Sequence, residues 1–262
     1  MTQPEHLRVE VVDSVLRVRI DRPEKRNPLS RAVLGELGRV FREYATDASL
    51  RAAVVTGAGD KSFAAGGDLK EFSAFRSDED ADSLFGHAND ALAAIRRFPV
   101  PVVAALNGMA IGGGAELAVA CDFRVAAAHA TIGFVQGRLN ISTGFGGGTD
   151  LVQLVGPRMA LSLLIGAQVF DAADAKRIGL VDEVTGDSEP LDDCVERFLA
   201  PMRAQAPQVL RAFKAIASSG RQGLPRVERE HEERAAFVRT WTHPDHWAAA
   251  ERVLARMARG NA

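Results

Sequence analysis

The stretch Asn107-Gly108-Met109-Ala110-Ile111-Gly112-Gly113-Gly114-Ala115-Glu116-Leu117 decides how this chain is read. It follows a buried apolar run, Val100 to Leu106, and passes through three consecutive glycines into a helix over Ala115 to Ala120. Glycine lets backbone approach a ligand closely, so that an N–H can point at it with no side chain in the way. Because the run opens a helix, the partial positive charge of that end favours an anion nearby. A second glycine loop, Ser62-Phe63-Ala64-Ala65-Gly66-Gly67-Asp68-Leu69-Lys70, also follows a predicted strand, Ala52 to Val55. Two such N–H groups converging on one oxygen make an oxyanion hole. The plainer reading of a Gly-Gly-Gly run is a tight turn with close packing. Gly112 to Gly114 lack the dinucleotide spacing, Gly57-Ala58-Gly59 lacks its third glycine, and no glycine run leads into Gly-Lys-Ser or Gly-Lys-Thr.

Working outward, Leu7 to Val12 and Val15 to Ile20 alternate around Asp13-Ser14 as a hairpin. Apolar residues recur at helical spacing from Ser30, a candidate N-cap, to Ala45. A helix near Ala81 to Arg96 and a strand at Phe123 to Ala127 complete a strand, loop, helix order that repeats. The pattern suggests stacked ββα turns, although periodicity alone does not separate these from a doubly wound sheet. After Gly144 the chain reads as helices: 150–155, 157–166, 171–178, 191–204, 207–219 and 227–240, with Pro157 and Pro207 at first turns and Asp171 at a cap. We therefore expect an α/β core over residues 1–200 and a C-terminal helical oligomerisation region over 201–262, in which Trp241, Trp247 and Met257 serve as interface or core.

Composition narrows the function classes. An apolar fraction of 47% in 262 residues supplies a sizeable core, and 32 basic against 34 acidic side chains give no field favouring nucleic acid or an anionic membrane. Cys121 and Cys194 have no partner at metal-ligand spacing, which reads as reduced thiols. Met1 to Val9 has no signal-peptide character and no apolar stretch reaches membrane-spanning length, so a soluble, cytoplasmic protein is expected. Without a His/Cys/Asp cluster or dinucleotide motif, neither metal nor redox cofactor is expected.

Together these residues resemble the crotonase (enoyl-CoA hydratase/isomerase) superfamily over almost the whole chain. Ile20-Asp21-Arg22-Pro23 with Asn27-Pro28-Leu29 resembles its N-R-P…N-A-L segment, Ser62 to Phe72 its F-A-A-G-A-D-L-x-E-F loop, and Pro101 to Leu117 its P-V-I-A-A-V-N-G-x-A-x-G-G-G-x-E-L segment. Gly144-Phe145-Gly146-Gly147 is similar to the later glycine turn, and Ala172 to Val181 to the A-x-x-A-x-x-x-G-L-V stretch. The resemblance implies a ββα spiral that assembles as a homotrimer or homohexamer. It also implies an acyl-CoA thioester as substrate, with coenzyme A arriving as part of that substrate. Gly67 and Gly113 would donate the oxyanion N–H groups, and Ala65, Asp68, Leu69, Lys70 and the Lys25, Arg26 to Leu29 segment would lie beside CoA. For Lys25, Arg26 and Lys70 solvated surface charge is the equal alternative.

Glu116 matches the first catalytic glutamate of hydratases, its plainer role being a first-turn acid on the helix dipole. Counting forward, the second glutamate falls on Gln136, within Ile132 to Leu139, and a glutamine does not exchange a proton as a carboxyl does. The expected activity is enoyl-CoA hydratase-like. Decarboxylation or isomerisation of an acyl-CoA is the alternative, supported for decarboxylases by Cys121-Asp122-Phe123-Arg124 and Phe134-Val135; binding of acyl-CoA without turnover, with Gln136 and Arg138 as pocket residues, is another. His87 and Asp150 are further polar candidates, the first more often structural and the second a first-turn acid.

Overall fold

The computed structural model describes residues 4–260; the first three residues of the polar Met1 to Val9 stretch lie outside the described residues. The chain opens on the expected hairpin, β1 (Leu7–Val12) and β2 (Val15–Ile20), with Val12 opposite Val15. Asp13 and Ser14 take φ of 49° and 62°, the pair of left-handed residues whose twist suits a two-residue hairpin. A 3-10 turn at Pro23–Lys25 leads to α1 (Arg31–Tyr44), where the Ser30 side chain accepts the Val33 N–H at 3.3 Å as the cap predicted.

Three strand pairs follow, each trailed by helix. The first is β3 (Ala52–Gly57) and β4 (Ser62–Ala64), followed by the single turn α2 (Leu69–Phe72) and by α3 (Asp78–Arg96). Next come β5 (Val102–Leu106), β6 (Met109–Ile111) and α4 (Gly113–Ala120). The third pair is β7 (Phe123–Ala126) and β8 (Thr131–Gly133), followed by α5 (Gly147–Val155). The first strand of each pair joins a large sheet and the second a small one, and within each sheet the successive strands run parallel. The architecture is a ββα spiral. A doubly wound fold would have placed all these strands in one sheet.

Beyond α5 come α6 (Pro157–Gly166), β9 (Val169–Asp171) antiparallel to β8, α7 (Ala172–Arg177), β10 (Glu183–Val184) beside β7, and α8 (Leu191–Arg203). The chain ends in α9 (Pro207–Arg221), α10 (Arg226–Trp241) and α11 (Pro244–Gly260), the last of which the sequence reading did not assign. Trp241, Trp247 and Met257 are 46%, 49% and 61% exposed, so the core alternative for them falls away.

The large sheet is covered on both faces. Leu16, Val18, Ala53, Val55, Val102 and Ala104 pack toward α1, α3 and α4, whereas Val15, Val54, Val103, Ala105 and Val125 pack with Cys194, Val195 and Leu199 of α8. That explains why β3 and β5 read as unbroken apolar runs. Both cysteines are free and buried, and burial pushes the Cys121 thiol up to about 12. No helix among the described residues is long and apolar enough to cross a membrane.

Candidate active site

The two glycine loops leave adjacent parallel strands, β4 and β6, and are stapled together by buried asparagines. Asn27 Nδ2 donates to Ala58 O and Ser62 O at 3.0 and 2.7 Å; Asn107 accepts the Gly57 N–H at 3.0 Å and donates to Gly59 O and Ser62 O. The segment before α1 runs alongside: Leu29 N–H donates to Gly66 O at 2.8 Å, Asp68 N–H to Leu29 O at 3.3 Å, and Ala65 N–H to Arg26 O at 3.1 Å. This ladder passes over the Gly67 N–H. Gly113 is the first residue of α4 and so has no intrahelical acceptor. Among the described residues neither the Gly67 nor the Gly113 N–H has a hydrogen-bond partner. The loops lie close enough that a Cβ built on Gly66 would be 3.6 Å from Gly113 N.

Glu116, in the first turn of α4, is 1% exposed, and four donors converge on its carboxylate. Oε1 accepts from Gln136 Nε2 at 2.8 Å and Gly144 N at 3.1 Å; Oε2 accepts from Phe145 N at 2.8 Å and Gly147 N at 2.9 Å. Such close wrapping requires glycine at 147, since a Cβ there would come within 2.4 Å of Glu116 Cβ. Burial pushes the Glu116 carboxyl above its ordinary 4.5, and the N–H donors, led by Phe145, partly offset this. Gln136, on the 3-10 turn Gln136–Leu139, is 8% exposed; with its NH₂ turned to Glu116, its Oε1 is left buried without a partner. The amide orientation follows from the charge: an ionised Glu116 attracts the donor end and repels Oε1.

Glu116, Gln136, Gly67 and Gly113 all line one cavity of about 530 Å³. Its walls are apolar, with Leu69, Phe72, Phe85, Ile111, Leu139 and Ile141, and Arg138 and Ala65 also face it. Of the remaining expected residues, Lys25, Arg26 and Lys70 are exposed and outside this lining. Leu29 is fully buried, so only its backbone reaches the glycine loop. Asp68 caps α2 and pairs with Arg22 at 3.4 Å. His87 is turned away, its Nε2 lying 2.8 Å from Arg31 O. Asp150 does sit in the first turn of α5, but it is 5% exposed and bridges Arg96 and Arg221. Among the described residues no three His, Cys, Asp or Glu side chains are grouped to hold a metal.

The sequence model of enoyl-CoA hydratases and isomerases matches residues 10–251. The chain belongs to the enoyl-CoA hydratase/isomerase family. Among curated relatives it is 36% identical to crotonyl-CoA hydratase of Syntrophomonas wolfei, over 83% of each chain. It is 34% identical to ethylmalonyl-CoA decarboxylase of Danio rerio, over 85% of this chain and 74% of that one. The crystal structure of enoyl-CoA hydratase from Bacillus anthracis superposes with a TM-score of 0.87 at 30% identity, covering 96% of this chain and 97% of that one. The spiral is thus the crotonase fold, as its motifs implied.

Within this enoyl-CoA hydratase/isomerase chain, the sequence reading missed the donors that hold Glu116. It recognised the turn Gly144 to Gly147 as a motif without seeing that the turn's N–H groups face the carboxylate. The signal was present in the glycine at 147, where any side chain would strike α4.

Proposed function

We propose that this enzyme of the enoyl-CoA hydratase/isomerase family is hydratase-like, holding the thioester oxygen of an acyl-CoA on the Gly67 and Gly113 N–H groups as an enolate forms. The observation that carries the reading is that two N–H groups lacking acceptors share one apolar cavity with a buried carboxylate. Fixed donors aimed at developing charge cost no reorganisation during reaction, and removing one such donor costs about 10²- to 10³-fold in turnover. In hydration, Glu116 takes a proton from water as its oxygen bonds to Cβ, the enolate rests on the two N–H groups, and the proton passes to Cα. Water's two halves are then both accounted for. Burial strengthens Glu116 as the base. Gln136 orients that carboxylate and exchanges no proton.

CoA is read as the carrier part of the substrate, no resident cofactor being required. Exposed Lys25, Arg26 and Lys70 flank the paired Leu29 and Ala65–Gly67 backbones, a position suited to its phosphates. Residues 201–262 are read as the oligomerisation region of a homotrimer or homohexamer, supported by exposed Phe237, Trp241, Trp247 and Leu254. A reducing, cytoplasmic setting fits the two free thiols.

One observation favours a second reading. All four acceptor positions of Glu116 are occupied and its neighbour is neutral, so an enolate generated by loss of CO₂ from a 2-carboxyacyl-CoA would need no base here. In that step the C–C electron pair enters the enolate, CO₂ leaves, and solvent protonates Cα. A mass-spectrometric screen of wild type and Glu116→Gln with crotonyl-CoA, longer enoyl-CoAs and methylmalonyl-CoA separates the readings. Hydration abolished in Glu116→Gln supports the first, whereas CO₂ loss unaffected by that change supports the second. Tight binding with no product would mark an acyl-CoA-binding protein.

A further inference from the structure

A run of partly buried ion pairs reaches the Glu116 turn. Asp150 holds two guanidinium groups: Oδ2 accepts from Arg96 Nε at 2.7 Å and Oδ1 from Arg221 Nη2 at 2.8 Å. Arg96, at the end of α3, gives its other N–H groups to Asn89 Oδ1 at 3.0 Å and Phe145 O at 3.1 Å. Arg221, at the end of α9, also donates to Val119 O and Ala120 O, the last turn of the helix that carries Glu116, and faces Asp122, which pairs with Lys214.

The contact to Phe145 O has a definite geometric effect. The peptide planes ending in Phe145 N and Gly147 N both donate to Glu116. Phe145 O belongs to the plane between them, the one plane of the three that does not. A peptide unit is rigid, so fixing the middle plane restricts how the other two can turn. Remove the Asp150 charge and Arg96 and Arg221 face each other as like cations with no anion between them.

We infer that Asp150 is a positioning residue for Glu116, acting through Arg96 on the Phe145–Gly146 peptide so that the turn's N–H groups stay aimed at the carboxylate. The inference rests on the reading of Glu116 as the acid/base group for the effect on turnover; its structural half does not. The groups that face Glu116 directly are neutral, three N–H groups and Gln136, whereas Arg96, Arg221, Asp122 and Lys214 surround Asp150 and its partners.

The test compares wild type, Asp150→Asn and Asp150→Glu by amide hydrogen exchange over residues 144–147 and by crotonyl-CoA hydration across pH. Asp150→Asn should speed exchange of that segment and lower kcat at least about tenfold, as small misplacements of a reacting group do. It should leave KM unchanged and move the acidic limb of the pH profile upward, because Glu116 keeps its burial and loses donors. Asp150→Glu should recover part of each effect. If Asp150→Asn does not fold, Arg96→Lys serves, since it keeps a cation beside Asp150 but not the fork that also reaches Phe145 O. Unchanged exchange at 144–147 in a folded variant overturns the inference whatever the turnover, and so does a lower Tm with kcat and pH limb intact. Full activity of Glu116→Gln, by contrast, would sink the hydratase reading and leave the exchange result to decide the role of Asp150.

Discussion

Glu116 is caught between two tendencies: burial opposes its charge and four hydrogen bonds favour it, with burial the larger. Since the raised carboxyl must ionise to act as a base, the kcat/KM profile for enoyl-CoA should show an acidic limb with its midpoint above 4.5. Gln136→Glu would set a second carboxylate about where an amide nitrogen now lies 2.8 Å from Oε1. Two carboxylates so close share a proton. That variant should raise hydration, move the limb further up and give a second titration, all read from one pH–rate series; a limb unmoved by the change would show that the two groups do not touch in solution. Gly147→Ala drives a methyl into the Cα and Cβ of Glu116 and should cost about 1–3 kcal/mol in urea unfolding, as overpacking does, with activity lost alongside. Glu116 and Gln136 were legible because the family resemblance fixes their offsets from the glycine triplet. The Asp150 pairs were not, since Arg96 and Arg221 lie 54 and 71 residues away and nothing in their local pattern distinguishes them from surface charges.

At the level of elements, α3 has the most leverage over the cavity. It contributes Ala81, Leu84 and Phe85 to the wall, and its start is fixed by a capping box in which Ser77 and Asp80 satisfy each other's N–H groups. Ser77→Ala should cost about 1 kcal/mol of local stability. Hydrogen exchange over 78–85 should rise while the rest of the chain is unchanged, and KM should rise more for long enoyl-CoAs than for crotonyl-CoA. Equal KM changes at both lengths would mean that this helix start does not shape the acyl end of the cavity. The same helix was read three residues short, its first turn being acidic rather than apolar. The hairpin and α1 were read closely because alternation and amphipathic spacing persist over six and fourteen residues. The strands β4, β6 and β8 have only three residues each, too short for any period, so the small sheet was hidden from periodicity, and the spiral was chosen over a doubly wound sheet by the family resemblance alone.

For the whole molecule, α10 and α11 expose Phe237, Val238, Trp241, Trp247, Val253, Leu254 and Met257. Phe237, Trp241 and Trp247 form one aromatic group with His246 at the surface, ring centroids 4.7 to 5.6 Å apart. Light scattering on the full chain should give a trimer or hexamer, and Trp241→Glu with Trp247→Glu should shift it toward smaller species at low concentration; a wild-type monomer would end the oligomer proposal. The sequence reading left Trp241, Trp247 and Met257 as interface or core and did not assign α11, on which Trp247 and Met257 lie. The spiral itself has one more consequence. Gly67 follows the first strand pair, Gly113 and Glu116 the second, and Gln136 the third, so each contribution to the site stands on its own step of a staircase. Gln136 alone stands on the third step, so under the proposed reading a change at 136 alters what faces Glu116 while the backbone N–H groups of Gly67 and Gly113, on the first two steps, keep their places.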